Sequence, residues 1–101
     1  MNKERIRGLL GLAIRSRQAV LGADACRIMI RSGHCGVLLL DGSAGPNTRK
    51  KAADLCERTG TPMITLPEAA IEEATGNANM VMAVRKGSFA EAVIRESASD
   101  A

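Results

Sequence analysis

The feature that most constrains the fold of this chain is a nearly continuous apolar run at residues 35–40, with the sequence CGVLLL. Turn-forming residues bound it, with Gly33 and His34 before it and the segment DGSAGP after it. Such a run is typical of a central strand that is buried on both faces, which requires a covering layer on each side. The chain has 101 residues, 46% of them hydrophobic, and this fits one domain with a packed core.

Helical and strand-like segments alternate around this run. Apolar spacing predicts helices over residues 2–16, 23–32, 47–58, 67–74 and 88–96, and strands over residues 19–21, 35–40, 62–66 and 80–84. This alternation with short connections predicts an α/β fold, namely a three-layer α/β/α sandwich with a four-stranded mixed sheet and about five helices. One domain is expected over residues 1–97, with a frayed tail at residues 98–101.

Two of the predicted helix starts carry specific signals. Pro67 suits the first position of the fourth helix, and Glu68 adds the negative charge that a helix N-terminus favours. Ser88 and Glu91 have the spacing of a capping box, which predicts that the Ser88 side chain caps the fifth helix.

Composition restricts how a nucleic acid could be bound. Phe89 is the only aromatic residue of the chain. Proteins that bind single strands commonly stack bases on several aromatic side chains, so that mode is excluded here. Binding would have to use charge, backbone groups and aliphatic contacts.

The charge of the chain is unevenly distributed. Residues 1–51 carry ten Lys or Arg residues and three acids, a net charge of +7. Residues 52–101 carry four Lys or Arg residues and eight acids, a net charge of −4. The asymmetry favours a polyanion-binding face on a soluble domain, and the alternative is a set of ordinary solvated helix faces.

The sequence offers no support for catalysis, metal binding or membrane insertion. Cys26, Cys35 and Cys56 lie in apolar runs without a CxxC pair, and we expect buried thiols in a reduced compartment. The single histidine, His34, has no evident partner, and zinc-ligand spacing is absent, so we expect no enzyme, no metal and no cofactor. Without a signal peptide or a membrane-spanning run, a cytoplasmic protein is expected.

The stretch VLGADACR at residues 20–27 is the first candidate phosphate site. A short apolar run stops at Gly22, and the predicted helix that follows carries Arg27 and Arg31 one turn apart. Helix starts expose backbone N–H groups and a partial positive charge, which suit phosphate oxygens.

The start of the third helix is a second candidate, because its first turns carry Lys50 and Lys51 after a glycine-containing loop. It is either a second set of phosphate contacts or a plain strand-to-helix connection with a solvated basic turn.

The order and spacing of several short motifs resemble one family. They are LLGLA at residues 9–13, Gly22, IRSG at 30–33, LLLD at 38–41, NTRKK at 47–51, LC at 55–56, TP at 61–62, Gly76 and residues 84–89. On these motifs, residues 4–95 resemble YlxQ-like bacterial proteins, a branch of the ribosomal L-seven-Ae family known for binding kink-turn RNA. The resemblance implies an α/β/α sandwich and a non-catalytic role with ribosomal RNA or another structured RNA as partner. Ribosomal proteins or a YlxR-type domain are further implied partners.

The resemblance also implies where RNA is bound: the loop after the first strand, the start of the second helix and the loop before the fourth helix. Gly22 matches the family glycine, whereas Asp24 and Ala25 stand where the family often has Asn-Glu. Ile28 stands where the family has a basic residue, with Arg27 beside it. An ionised Asp24 cannot donate a hydrogen bond, and it repels phosphate.

Two functions therefore remain open. The first is RNA binding through residues 22–31 and the loop before the fourth helix, with Ala69, Ala70 and Ile71 as an apolar platform for unstacked bases. The residues expected at the RNA are Arg17, Gly22, Ala23, Asp24, Ala25, Arg27, Arg31, Lys50, Lys51, Ala69, Ala70 and Ile71.

The second function is a protein-interaction or assembly module that keeps the fold and has lost specific RNA readout. Its mark is the departure from the family pattern at Asp24, Ala25 and Glu72. Glu72 follows Ile71 where the family has a Leu-Gly pair.

Overall fold

The computed structural model describes residues 1–98 and contains five helices and four strands over that range. In chain order the elements are α1 (Lys3–Arg15), β1 (Ala19–Leu21), α2 (Ala23–Arg31), β2 (Cys35–Asp41), α3 (Pro46–Thr59), β3 (Met63–Leu66), α4 (Ala70–Thr75), β4 (Val81–Arg85) and α5 (Ser88–Ser97). The predicted tail at residues 98–101 lies, from residue 99 onward, outside the described residues. No helix within residues 1–98 is long and apolar enough to span a bilayer.

The four strands form one mixed sheet in the order β1-β4-β2-β3. β2 and β3 pair in parallel, whereas β4 runs antiparallel to both β1 and β2. It follows that β1, β2 and β3 point in one direction and β4 in the other. The C-terminal ends of three strands and the N-terminal end of β4 therefore meet at one edge of the sheet.

The sheet separates two hydrophobic cores, which confirms the predicted three-layer sandwich. α1, α4 and α5 cover one face, where their apolar side chains pack with Val37 and Leu39. α2 and α3 cover the other face and pack with Leu38 and Leu40. The alternating residues of β2 thus enter both cores, as its continuous apolar sequence predicts.

A register shift between Cys35 and Val37 interrupts the pairing of β2 with β4. With regular alternation, Cys35 would lie on the same face as Val37, but it belongs to the core beneath α2 and α3. A β-bulge inserts an extra residue, so the side chains that precede it lie on the opposite face of the sheet from the one that regular alternation gives. As a result, all three cysteines are buried on one side of the sheet.

The two predicted helix starts are wrong in detail. Ser88 is the first residue of α5 and not its cap, because Gly87 precedes the helix and no side chain caps it. Pro67 lies outside α4: residues 67–69 form a turn in which the Ala70 N–H donates to the Pro67 carbonyl. Ala69 adopts a left-handed conformation with φ 65°, so α4 begins only at Ala70.

The buried thiols predict a loss of stability in alkali. Burial raises the pKa of Cys26 to about 12 and that of Cys56 to about 11, from the ordinary 9.0. Above pH 9.0 the unfolded chain ionises these thiols while the folded chain keeps them protonated. The free energy of unfolding should therefore fall as pH rises from 9 toward 11, by about 1.4 kcal/mol per pH unit for each thiol.

Urea unfolding between pH 8 and pH 11 measures this effect. The Cys26→Ala variant should show a shallower decline than the wild type, since it has lost one of the titrating thiols. Equal slopes for the two proteins would contradict the expectation.

Candidate nucleic-acid interface

Four connections meet at the sheet edge where β1, β2 and β3 end and β4 begins. They are Gly22, residues 42–45, residues 67–69 and residues 76–80. We call these connections, together with the first turns of α2, α3 and α4, the strand-end surface. β1 and β3 are the outer strands, so the surface spans three strand spacings, about 14 Å at the usual strand separation.

Gly22 fixes the passage from β1 into α2. Its backbone has φ 91° and ψ 153°, a conformation that residues other than glycine rarely adopt. Its N–H donates to the Val81 carbonyl at 3.2 Å, which ties the turn to β4. No side chain caps α2, and Ala23 and Asp24 are exposed, so the helix start is accessible to an anion.

Asp24 and Arg27 form an ion pair on α2. Arg27 Nη2 donates to Asp24 Oδ1 at 2.6 Å, and the two side chains are 46% and 86% exposed. The pair offsets the repulsion that the Asp24 carboxylate alone would exert on a phosphate. Exposed ion pairs contribute only about 0.2–1 kcal/mol, so a phosphate oxygen can replace the carboxylate at Arg27.

Asp41 organises the middle of the strand-end surface from within. It ends β2 and is only 1% exposed, as the only buried charged residue in the described part of the chain. Its Oδ2 accepts hydrogen bonds from the Ser43 N–H at 2.9 Å, from the Ser43 hydroxyl, and from the Ala69 N–H at 3.3 Å. One carboxylate therefore joins the β2–α3 loop to the turn before α4.

The ionisation of Asp41 follows from these bonds. Burial alone would raise its pKa, but donation from the Ser43 hydroxyl and from the Ser43, Ala69 and Ile71 amides outweighs burial. The pKa of Asp41 therefore lies below its ordinary value, and the side chain is a carboxylate at neutral pH.

Arg49 secures the other side of the same loop. Its Nε donates to the Ala44 carbonyl at 3.0 Å and its Nη2 to the Gly42 carbonyl at 2.7 Å. These bonds satisfy two loop carbonyls and direct the guanidinium back onto the protein. Arg49 thus holds the loop, while its neighbours Lys50 and Lys51 are exposed.

Several of the residues predicted at the RNA do lie together. Gly22, Ala23, Asp24 and Ala25 occupy the start of α2, and Arg27 follows one turn later. Ala69 and Ala70 lie across the strand-end surface at the start of α4, where Ala69 is exposed and Ala70 is half-buried.

Two of the predicted contact residues do not belong to this surface. Arg17 precedes β1, so it lies at the opposite edge of the sheet from Gly22. Ile71 is fully buried among the residues beneath α1, α4 and α5, so it cannot form a platform for bases. The predicted platform is thereby reduced to Ala69 and Ala70.

Arg31, Lys50 and Lys51 lie beside the strand-end surface rather than on it. α2 leads away from the surface, and Arg31 is its last residue, about 12 Å from Ala23 at the rise of an α-helix. Lys50 and Lys51 follow the first turn of α3.

The positioning roles of Asp41 and Arg49 were missed in the sequence. An Asp-Gly-Ser segment at the end of an apolar strand is a signal for a turn in which the aspartate accepts the amide two residues on. That signal predicts the bond to Ser43. The bond to Ala69 joins residues 28 positions apart, which local patterns do not reveal.

The layers differ in charge. α2 and α3 carry six basic and three acidic residues, a net charge of +3. α1, α4 and α5 carry five of each and are balanced. The net positive charge of the helices thus lies in the α2–α3 layer, whereas α1, which belongs to the basic half of the sequence, lies in the balanced layer.

A curated relative shares most of the sequence. The RNA-binding protein YlxQ of Bacillus subtilis is 34% identical over 88 residues, which cover 85% of this chain and 88% of that protein. No protein-family profile matches the chain.

Two solved structures share the fold. A protein of unknown function from Bacillus halodurans C superposes with a TM-score of 0.88 and 25% identity, covering 94% of this chain and 98% of that one. The Giardia lamblia 15.5kD RNA binding protein has a TM-score of 0.74 and 16% identity, covering 93% of this chain and 82% of that one. The curated relative YlxQ is named for RNA binding and not for an enzymatic activity, in agreement with the sequence prediction. By its identity to YlxQ over most of both sequences, the chain belongs to the YlxQ-like family of bacterial proteins.

Proposed function

We propose that this protein binds structured RNA of the kink-turn type through the strand-end surface. The observation that carries the proposal is the uncapped, exposed start of α2 at the edge of a helical layer with a net charge of +3. A phosphate at this start would meet backbone N–H donors, the positive end of the helix dipole and Arg27. The relationship to an RNA-binding protein supports RNA as the polyanion.

Each residue of the surface has a distinct role in this proposal. Gly22 lets the RNA backbone approach the chain closely, and the amides at Ala23 and Ala25 face its phosphates. Arg27 exchanges the Asp24 carboxylate for a phosphate oxygen. Across the surface, Ala69 and Ala70 offer an aliphatic platform for unstacked bases.

Flanking charges add affinity without reading sequence. Lys50 and Lys51 are exposed at the start of α3 and carry no ion pair within residues 1–98. Contacts of this kind release counterions, so they strengthen binding most at low salt. Glu72 is exposed in the first turn of α4, and its charge opposes phosphate near Ala70.

The Ala23→Glu variant tests the proposed site. Glutamate at the first helical position is favourable for α2, because its charge complements the helix dipole. The fold should therefore be kept, while repulsion of phosphate should weaken binding of a kink-turn RNA at least tenfold. Affinity is measured by fluorescence anisotropy and folding by thermal unfolding.

Ser88→Glu is the matched control. Ser88 is also an exposed first helical residue after a glycine without a side-chain cap, but it lies at the opposite edge of the sheet. The control should bind RNA as the wild type does, apart from a small loss from the added negative charge. Equal weakening by the two substitutions would contradict the proposed location of the site.

A salt series separates specific recognition from charge alone. The wild type should prefer a kink-turn RNA to a plain duplex at every salt concentration. Equal and steeply salt-dependent affinity for both RNAs would indicate binding by charge only. No binding of either RNA at low salt would overturn the proposal in favour of a protein-interaction module on the same fold.

A further inference from the structure

A groove of about 430 Å³ lies between α2 and α3, on the face of the sheet that these two helices cover. Its floor is apolar and includes Ile30, Leu55 and Val81. Its rims carry the basic residues Arg27, Arg31, Lys51 and Arg58, and Asp54 is the one acidic residue that lines it.

The groove opens at the strand-end surface. α2 and α3 both begin there, so Ala23 and Thr48 line the groove at that end. Both helices lead back across the sheet, and Arg31 and Arg58 line the far end. At the rise of an α-helix the groove is about 12–15 Å long.

Three basic groups of the groove are available to a ligand. Arg31, Lys51 and Arg58 are exposed, and no carboxylate within residues 1–98 forms an ion pair with any of them. This differs from Arg27, which is paired with Asp24, and from Arg49, which is bonded to its own loop. The groove therefore combines unpaired cations with an apolar floor.

This combination fits a nucleotide better than it fits a bare anion. A phosphate would contact the guanidinium groups of Arg31 and Arg58, and a base would cover the floor formed by Ile30 and Leu55. The volume lies within the range of about 300–1,000 Å³ that is usual for small-ligand sites. Guanidinium planes and aliphatic side chains can pack against a base where aromatic residues are lacking.

We propose that an unpaired RNA strand leaving the strand-end surface continues into this groove. The inference rests on the proposed function, because continuity with the strand-end surface identifies the occupant as the same RNA. The groove would bind the flanking strand, while the strand-end surface binds the structured part. Arg58, which the sequence did not single out, is a contact residue in this proposal.

The test compares a kink-turn RNA with the same RNA carrying a single-stranded extension of three adenosines at either end. The extension should strengthen binding to the wild type at least fivefold at one of the two ends. The Arg31→Gln/Arg58→Gln variant should lose most of this gain and still bind the unextended RNA within about threefold of the wild type, as only flanking charge is removed.

Arg7→Gln/Arg95→Gln is the matched control, since it removes two exposed arginines from the opposite helical layer. It should keep the gain from the extension. For the extended RNA, the Arg31→Gln/Arg58→Gln variant should also depend less on salt than the wild type. The slope of log K against log salt should be smaller by about 1.4, since each phosphate contact to a single strand contributes about 0.7.

Two results would overturn the proposal. The first is an extension that gives no gain at either end, and the second is a gain that the Arg31→Gln/Arg58→Gln variant keeps in full. Failure of the proposed function is a separate result, in which the unextended RNA does not bind.

Discussion

Gly42→Ala is expected to lower the free energy of unfolding by about 3 kcal/mol, at the upper end of overpacking effects. A Cβ at this position would lie 2.7 Å from the Leu66 carbonyl oxygen and 3.0 Å from the Glu68 nitrogen. Both neighbours are backbone atoms of the chain leaving β3, so no side-chain rotation can relieve the contact. The melting temperature should fall by about 15 °C for a domain of this size.

Gly8→Ala is the control for this substitution. Gly8 lies within α1, is exposed, and would place a Cβ with no neighbouring atom within 4 Å. There alanine should stabilise the protein by about 0.5–1 kcal/mol through its higher helix propensity. Equal effects of the two substitutions on stability would contradict the expectation that backbone contacts exclude a Cβ at Gly42.

Asp41→Ala should cost about 3 kcal/mol of folding stability, since charge-assisted hydrogen bonds of a buried carboxylate are lost together. Three donors from Ser43 and Ala69 would lose their acceptor. Ala69 would also be released from the turn that presents it at the strand-end surface. Binding of a kink-turn RNA should therefore weaken more than the loss of stability alone explains at temperatures where the variant remains folded.

The same residue sets an acid dependence. Because the pKa of Asp41 is lower in the folded protein than its ordinary value of 3.8, the unfolded chain takes up the proton first as pH falls. The contribution of Asp41 is thus fully present above its ordinary pKa and is lost as pH falls below 3.8 through the folded-state pKa. Asp41→Asn should flatten the decline of stability in acid.

Asp54→Asn is the control for both measurements, because Asp54 is exposed on α3 and forms no ion pair within the described residues. Its substitution should leave stability and the acid profile nearly unchanged. An acid profile of Asp41→Asn that matches the wild type would mean that the carboxylate does not hold the two loops together.

Most of the fold could be predicted from the sequence because its signals are local and agree with one another. The run at residues 35–40 requires cover on both faces, and the flanking segments have helical spacing. The confirmed mixed sheet and its two helical layers follow from that pattern. The side on which Cys35 lies could not be predicted in this way, because the bulge that decides it depends on the pairing with β4.

The positions of Ile71 and Arg17 could not be predicted for a different reason. Ile71 belongs to a helix of six residues, and a short helix gives too few repeats to show which face is buried. Arg17 is close to Gly22 in sequence, but β1 separates the two and places them at opposite edges of the sheet.

The strand order has a consequence for synthesis of the chain. β1 is paired with β4 alone, and Val20 lies opposite Ala83, so β1 can pair only after β4 has been synthesised. Closing so long a loop is entropically costly and slow compared with local contacts. The Gly22 N–H donates to the Val81 carbonyl, and the Asp41 N–H donates to the Met80 carbonyl, only when β4 has reached the sheet. A nascent chain from which β4 has not yet emerged therefore lacks the two bonds that fix the end of β1 and the end of β2 to the neighbouring strand.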